Sequence, residues 1–309
     1  MFTSIFKKTT PFSYSLVALF LLVCFTVSVV FSEKTIFILN PIAQDAIAFL
    51  LLFASTFVVN FIAKRNMLTK DSAYAILFYF LLHLLFPKIL LDIQILLSNF
   101  FILLAIRRLI SLQSLHGTKQ KIFDATFWIL VASLFHFWTI LFILLVFISI
   151  IFHVSRDYRN WLVPVFAAIA FGNLFLFANL VLHQNWINEY VSRATVSYSI
   201  DYFENDYQNI AFSIYAVLVF VFFLSSFFSV TSKPINLQTS HKKLILSFLI
   251  SIAIFVLSAN KSNNLLVFTF FPLAIMATNF IEYSQNKINQ ELTITLFLLL
   301  SLFCFITQL

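Results

Sequence analysis

Long apolar runs separated by clumps of charge are the feature that most constrains this chain. Their lengths are those of segments that cross a hydrocarbon layer of about 30 Å. Because lipid offers no hydrogen-bond partners, such segments must form helices that satisfy their own backbone groups. The pattern predicts an all-α, polytopic transmembrane bundle and excludes a water-soluble fold. The runs cover residues 14–32, 46–63, 73–87, 89–106, 125–154, 160–182, 210–230, 244–259, 265–282 and 292–308.

The composition narrows the function classes further. Only 10% of the residues are charged, whereas an ordinary globular domain has about 25%. The two glycines, Gly117 and Gly172, are too few for phosphate-binding loops or dinucleotide fingerprints. Cys24 and Cys304 lie inside apolar runs, so neither a disulfide framework nor a metal site is predicted. We interpret the net charge of +7 as loop cations that set topology, and not as a nucleic-acid interface.

The apolar stretch at 125–154 decides the predicted topology, because it forms either one long helix or a hairpin of two short ones. With a hairpin, the chain crosses 11 times from a cytoplasmic N-terminus, with 15 Lys and Arg residues inside and 4 outside. With one helix, the counts become 11 and 8. Cytoplasmic loops carry the excess of Lys and Arg, so the sequence favours the hairpin in a bacterial inner membrane. The four outward cations are Lys34, Lys88, Arg193 and Lys261.

We expect a single integral membrane domain over residues 1–309, because every connecting loop is short. The largest outer loop runs over 183–209. Within it, Trp186, Tyr190 and Val191 share one helical face, which predicts a short helix lying on the membrane surface.

Two predicted hairpins point outward with arms too short to reach the outer surface. Each arm of the 125–154 hairpin spans roughly 22 Å of a layer of about 30 Å. An irregular turn at membrane depth is tolerated only against protein or a watery cavity. We therefore expect an outward depression lined by Lys88, Asp92 and His136. Lys88 and Asp92 form either an interfacial ion pair or a phosphate-binding cation beside a base, and His136 either caps the turn or carries a proton.

The outer loop adds further candidate groups. Glu189 and Arg193 are four residues apart, which fits a surface ion pair or, for Arg193, a phosphate contact. Tyr202 is interleaved with Asp201 and Glu204, a pattern that suits stacking on a sugar and accepting hydroxyl protons. With Asp206, these carboxylates form either a solvated loop or a site for Mg²⁺ or Mn²⁺. We assign no metal and no cofactor.

Three segments carry a resemblance to known proteins. NFFILLAIRRLISL (99–112), KIFDATFW (121–128) and ASLFHFW (132–138) resemble a family of uncharacterised multi-pass inner-membrane proteins of Bacteroidota. More loosely, residues 132–136 before an apolar helix are similar to O-antigen-polymerase-type, polyprenyl-linked glycosyltransferases. The looser resemblance implies a polyprenyl-phosphate substrate. The first outer loop, residues 33–45, lacks the length and acidic motif that many such enzymes carry there.

Three functions stay open at this point. The first is a transferase that acts on polyprenyl-phosphate-linked sugars at the periplasmic face. Its catalytic groups would be Asp92, His136, Asp201 and Glu204, and its binding groups Lys88, Arg193, Trp186 and Tyr202. The second is a non-catalytic subunit or scaffold that binds other membrane proteins of the cell envelope. The third is a transporter or flippase, which the scarcity of glycine disfavours. Membrane lipids are partners in all three.

Overall fold

The structure, a computed structural model, describes residues 5–31, 41–182, 185–198, 206–259, 261–284 and 286–309. Within these residues the chain forms twelve α-helices and four short 3-10 helices. The α-helices are α1 (Pro11–Phe31), α2 (Pro41–Arg65), α3 (Tyr74–Leu84), α4 (Ile93–Ile110), α5 (Thr118–Phe135), α6 (Ile143–His153), α7 (Arg159–Val181), α8 (Trp186–Ser192), α9 (Asp206–Ser229), α10 (Ile235–Leu257), α11 (Val267–Tyr283) and α12 (Lys287–Gln308). The 3-10 helices are Pro87–Leu91, Ser111–Ser114, Phe137–Phe142 and Asn263–Leu266.

The helix lengths confirm the prediction of a helical membrane protein. In the described part of the chain, eight helices are long and apolar enough to cross a membrane, namely α1, α2, α4, α7, α9, α10, α11 and α12. Two further apolar segments, α3 and Phe137–His153, are shorter. The total of 11 crossings and the cytoplasmic N-terminus stay predictions.

Helix α11 forms the centre of the bundle and packs against α3, α9 and α10. Of its most apolar 18-residue window, 89% is buried, whereas the corresponding window of α7 is 11% buried. Aromatic rings fill the space around it: Phe78 lies 5.5 Å from Phe297 and 6.2 Å from Phe222, measured between ring centroids. Lipid tails are as apolar as these side chains, so close packing is what holds the helices together.

The two ends of the bundle differ in charge. One end, which we call the basic end, carries Lys70, Arg107, Arg108 and Lys119. Hydrogen bonds join distant parts of the chain at each end. Thr9 donates to Asp71 at the basic end, and Gln308 donates to the carbonyl of Leu85 at the opposite end. The opposite end carries Lys88, Arg193 and Lys261.

The chain reverses direction between α5 and α6. Lys119, near the start of α5, lies 3.9 Å from Asp157, which follows α6. A straight helix would separate these two residues by about 55 Å. The reversal takes place at His136, whose backbone is extended (φ −139°, ψ 107°), and at the 3-10 helix Phe137–Phe142. This is the position at which the sequence predicts the turn, and both arms therefore begin and end at the basic end.

Cysteine labelling tests this reversal in a membrane. In a background with Cys24 and Cys304 replaced by Ser, we expect Gln120→Cys and Ser155→Cys to react with an impermeant maleimide from the same side. Both native residues are exposed at the basic end of the two arms. Trp138→Cys, at the tip, is the control that should react only from the other side. Labelling of positions 120 and 155 from opposite sides would contradict the hairpin.

Candidate functional site

The tips of two neighbouring hairpins meet at the end of the bundle opposite the basic end. One tip is the 3-10 helix Pro87–Leu91 between α3 and α4, and the other is Phe137–Phe142 between α5 and α6. Helices α4 and α5 pack along their lengths, and Ser98 on α4 donates to the carbonyl of Ala132 on α5 at 3.0 Å. This packing brings Asp92, which begins α4, and His136, which ends α5, to one place.

A cavity of about 440 Å³, the polar chamber, lies beside the Phe137–Phe142 tip, between the start of α4, the loop after α8 and the junction of α10 and α11. Three side chains that the sequence singled out, Asp92, His136 and Arg193, lie in its wall. Its other lining residues are Gln94, Ile95, Phe135, Phe137, Trp138, Ser192, Thr195, Ser258, Ala259, Ser262 and Leu265. The chamber thus combines a carboxylate, an imidazole and a guanidinium, the groups needed for anion binding and proton transfer.

Asp92 is held in place by two hydrogen bonds. Its Oδ1 accepts from the backbone N–H of Ile95 at 3.2 Å and caps α4, while its Oδ2 accepts from Asn264 Nδ2 at 3.1 Å. Each carboxylate oxygen has a second lone pair, so both can still accept a proton or hydrogen bond from the chamber. Lys88 makes no ion pair with Asp92 within the described part of the chain.

His136 presents a ring nitrogen that has no partner in the protein. Its Nε2 is buried and makes no hydrogen bond with any described residue. The backbone around it is fixed, because its carbonyl accepts from the Thr139 hydroxyl at 2.8 Å. Its ring lies 5.8 Å from that of Phe268 on α11. A buried polar atom left unsatisfied costs about 1–3 kcal/mol. Five other buried side-chain atoms of the described residues share this state, among them His83 Nε2 and His153 Nδ1, but His136 is the one whose ring also lines the polar chamber.

Arg193 follows helix α8 and is anchored at the chamber wall. Its Nη1 donates to the carbonyl of Leu134 at 3.1 Å, and its Nη2 lies 3.9 Å from Glu189 Oε2. The side chain is 47% exposed, so donor hydrogens remain for a ligand. A guanidinium matches the oxygens of a phosphate in geometry and in charge.

Residues 195–197, which follow Arg193, are hydrogen-bonded to other parts of the chamber wall. Trp138 Nε1 donates to the carbonyl of Thr195 at 3.2 Å. Val196 pairs with Ser258 in an isolated antiparallel bridge, and Lys261 Nζ donates to the carbonyl of Ser197. These contacts join the loop after α8 to the end of α10 and so close one side of the polar chamber.

A second cavity of about 480 Å³, the apolar groove, runs between α5 and α7. Its walls are lined by Phe127, Val131, Leu134, Phe135, Phe171, Leu174, Phe175 and Ala178, and its end by Gln94, Trp186, Glu189, Tyr190 and Arg193. The rings of Phe127 and Phe171 lie 6.0 Å apart, and those of Phe175 and Tyr190 lie 5.9 Å apart. The part of the groove between α5 and α7 is therefore apolar, and its polar part lies near the end of the bundle.

Tyr190 closes the polar end of the apolar groove. Its hydroxyl lies 3.0 Å from Ser133 Oγ on α5. Burial raises the pKa of the Tyr190 phenol above its ordinary value, and the hydrogen bond with Ser133 opposes this shift only in part. The hydroxyl is thus neutral and can donate a hydrogen bond.

The two cavities share Gln94, Phe135 and Arg193 in their walls. Arg193 therefore stands where the apolar groove meets the polar chamber. A molecule with an apolar chain and a charged head would place its head beside this guanidinium while its chain lies along α5 and α7.

The remaining residues singled out in the sequence fall elsewhere. Trp186 lines the apolar groove and not the polar chamber. Lys88 is exposed on the 3-10 helix at Pro87–Leu91 and lines neither cavity. Asp201, Tyr202 and Glu204 lie outside the described residues, and so does most of the proposed acidic metal segment. In the described ranges, no three His, Cys, Asp or Glu side chains form a group that could hold a metal.

Comparison with known proteins gives a family and no activity. Residues 1–309 match the family model DUF6427, described as a family of unknown function. The chain belongs to the DUF6427 family. No curated protein and no solved structure matches it. What this DUF6427 protein does must therefore be argued from its own cavities.

Sequence reasoning missed several residues that build the site in this DUF6427 protein. Gln94 lies in the wall of both cavities, and Ser258 and Ser262 line the polar chamber from the junction of α10 and α11. Gln94 could have been found, because an amide two residues after Asp92 is a costly side chain at the start of an apolar helix. Nothing local marks Ser258 or Ser262, since their role depends on how distant helices pack.

Proposed function

We propose that the protein is an integral membrane transferase that acts on a polyprenyl-phosphate-linked sugar. The proposal rests on one observation: the polar chamber and the apolar groove meet at Arg193, which lines both. A polyprenyl phosphate has the same two parts, a long apolar chain and an anionic head. The likeness of residues 132–136 to O-antigen-polymerase-type glycosyltransferases agrees with this proposal.

In the proposed complex, Arg193 binds the phosphate and the isoprenoid chain occupies the apolar groove. A guanidinium forms strong, charge-assisted hydrogen bonds with phosphate oxygens. The groove gains little hydrophobic free energy over lipid, so its contribution is to orient the chain by contact with Phe127, Phe171 and Phe175. The sugar then lies in the polar chamber near Asp92 and His136.

The reaction is the transfer of the sugar to a hydroxyl acceptor. The acceptor oxygen forms the new bond to the anomeric carbon, and its proton passes to Asp92, with His136 as the proton carrier. The bond from the anomeric carbon to the phosphate oxygen breaks, and its electron pair stays on the phosphate. Arg193 stabilises this developing charge electrostatically. Asp201 and Glu204 are the alternative bases.

We infer that this chemistry takes place at the periplasmic face, and the distribution of charge supports this orientation. The basic end holds the clumps of Lys and Arg that predict a cytoplasmic location, with 11 crossings of the inner membrane. The polar chamber lies at the opposite end, so it opens toward the periplasm. Partners in the cell envelope would then meet the protein at the loops around α8.

Photolabelling tests the proposed substrate class. The probe is a polyprenyl phosphate with a diazirine in its isoprenoid chain, added to the purified full-length protein in nanodiscs. We expect labels on peptides of α5 and α7 that line the apolar groove, because the chain is held there. Unlabelled polyprenyl phosphate should compete, and phosphatidylglycerol should not.

Labels spread evenly over lipid-exposed helices such as α9 would contradict the proposal. Specific labelling without any sugar transfer would support the non-catalytic alternative, a subunit that binds the lipid for an envelope complex. Transport of the lipid across proteoliposomes would support the flippase alternative.

A further inference from the structure

A third large cavity lies at the basic end, far from the polar chamber. It measures about 500 Å³, and we call it the basic cavity. It is built where the ends of α2 and α4 meet the starts of α5 and α10. Its lining residues are Phe61, Arg65, Asn66, Met67, Arg107, Arg108, Ser111, Gln113, Ser114, Lys121, Asn236 and Leu237.

Four cations face the basic cavity, and none of the described carboxylates lines it. The cations are Arg65, Arg107, Arg108 and Lys121. Among the described residues, Arg108 is paired with a carboxylate, since its Nη2 lies 2.9 Å from Asp124 Oδ2. The cavity therefore holds an excess of positive charge. Like charges gathered in one cavity repel each other, and a bound anion relieves that repulsion.

Three of the four cations, Arg107, Arg108 and Lys121, are held by neighbouring groups, whereas Arg65 is exposed. The Arg107 guanidinium lies 4.5 Å from the ring centroid of Phe61. Lys121 Nζ donates to the Ser111 carbonyl and to Ser114 Oγ, both at 2.7 Å. These contacts orient the positive groups toward a shared volume before any ligand arrives, which lowers the entropy cost of binding.

The 3-10 helix Ser111–Ser114, which borders the basic cavity, is hydrogen-bonded to α10. Gln113 Nε2 donates to the carbonyl of Asn236 at 2.7 Å, and Gln113 Oε1 accepts from Ser240 Oγ at 3.0 Å. Together with the bonds from Lys121 on α5, these contacts tie the 3-10 helix Ser111–Ser114 to two helices, α5 and α10. The hydroxyl of Ser114, which lines the cavity, donates to the Ser111 carbonyl at 3.0 Å and accepts from Lys121 Nζ, so it orients the Lys121 ammonium.

The rim of the basic cavity is apolar. Phe61 is 44% exposed and Met67 is 72% exposed. An anion that carries apolar chains could therefore keep those chains beside Phe61 and Met67. Clusters of basic residues between transmembrane helices on the cytoplasmic side are typical sites for anionic lipid headgroups.

We propose that the basic cavity binds the phosphate group of an anionic ligand. Phosphate matches the site because guanidinium groups form bidentate, charge-assisted hydrogen bonds with its oxygens. A phosphodiester of an anionic lipid and a free phosphate share this chemistry. The proposal does not depend on the proposed transferase, because the two sites lie at opposite ends of the bundle.

The test is a binding titration of the full-length protein in neutral detergent micelles. Native mass spectrometry measures binding of dioleoyl phosphatidylglycerol, with the zwitterionic phosphatidylcholine as the control lipid. A parallel arm measures the rise in melting temperature caused by inorganic phosphate, compared with chloride at the same ionic strength. The double variant Arg65→Gln/Arg107→Gln removes two of the four cations.

We expect the double variant to weaken phosphatidylglycerol binding by about thirtyfold, the effect of two lost cations near an anionic headgroup. The matched control is Lys8→Gln/Lys242→Gln, which removes two exposed cations at the same end outside the cavity. It should weaken binding by about twofold or less, because distant charges are screened. Should the double variant unfold, Arg65→Gln alone, at an exposed side chain, is expected to weaken binding by about fivefold.

The two arms identify the source of the phosphate. Tight binding of phosphatidylglycerol that depends on Arg65 and Arg107 assigns the site to a lipid headgroup. Stabilisation by inorganic phosphate that is lost in the double variant assigns it to a soluble phosphate. Equal effects of the double variant and its control in both arms would overturn the proposal.

Discussion

Replacing His136 with Gln is expected to lower the turnover of a polyprenyl-phosphate-linked sugar by about 100- to 1,000-fold. A positioned proton carrier contributes roughly this much to catalysis, and an amide cannot take up a proton near neutral pH. In the proposed mechanism His136 transfers a proton and does not hold the lipid, so binding of the lipid should change little. The expected pattern is therefore a large loss in kcat with a nearly constant KM.

The matched control is His116→Gln, the same substitution at an exposed histidine between α4 and α5. It should leave turnover unchanged. Melting temperatures of both variants check that the fold survives. If the His136 variant retained wild-type turnover, His136 would be only a turn residue. Equal losses of kcat and lipid affinity would instead assign His136 to binding.

Ala178→Trp is expected to lower turnover by about 100-fold. Ala178 lines the apolar groove on α7, so an indole at this position fills volume that the isoprenoid chain needs. The displaced chain moves the phosphate away from Arg193. A misplacement of about 1 Å can cost a factor of 100 in rate, even when the substitution lies far from the reacting atoms.

The control for this substitution is Leu180→Trp on the same helix. Leu180 is 70% exposed and does not line the groove, so its side chain faces lipid. The diazirine probe supplies a second measurement, because Ala178→Trp should remove labels from α5 and α7 while Leu180→Trp should not. Unchanged turnover and labelling in Ala178→Trp would show that the groove does not bind the isoprenoid chain of the substrate.

The sequence predicts the outline of the site because two local signals mark the hairpin tips. Pro87 ends one short arm, since proline lacks a backbone N–H and cannot continue a helix. The length of the 125–154 stretch and the distribution of charge mark the other. These signals predict that Asp92 and His136 lie close together. In the structure, both residues line the polar chamber.

The rest of the site depends on packing that the sequence does not record. Arg193 and Glu189 have the spacing of an ordinary surface pair, and their ion pair of 3.9 Å is present. Nevertheless Arg193 also bonds the carbonyl of Leu134 and lines both cavities. That contact exists because α8 folds back over the end of α5, and no local pattern predicts it.

Lys243 shows how a charge can mislead sequence reasoning. A lysine ordinarily lies at the surface unless it is paired, but Lys243 lies inside α10 and is 1% exposed. Its Nζ donates to the carbonyl of Leu109 at 2.6 Å. The last carbonyls of a helix have no partner within the helix, and a cation there is favoured by the helix dipole. Lys243 therefore caps the end of α4.

Helix α10 extends from the basic cavity at one end of the molecule to the polar chamber at the other. Its first residues, Asn236 and Leu237, border the basic cavity, and Ser258, which follows its last turn, borders the polar chamber. Its 23 residues form a rod of about 34 Å. At the far end of this rod, the bridge between Val196 and Ser258 joins α10 to the segment that follows Arg193. A ligand in one cavity alters affinity in the other only if it binds two arrangements of this rod unequally, and thermodynamic reciprocity then makes the effect equal in both directions.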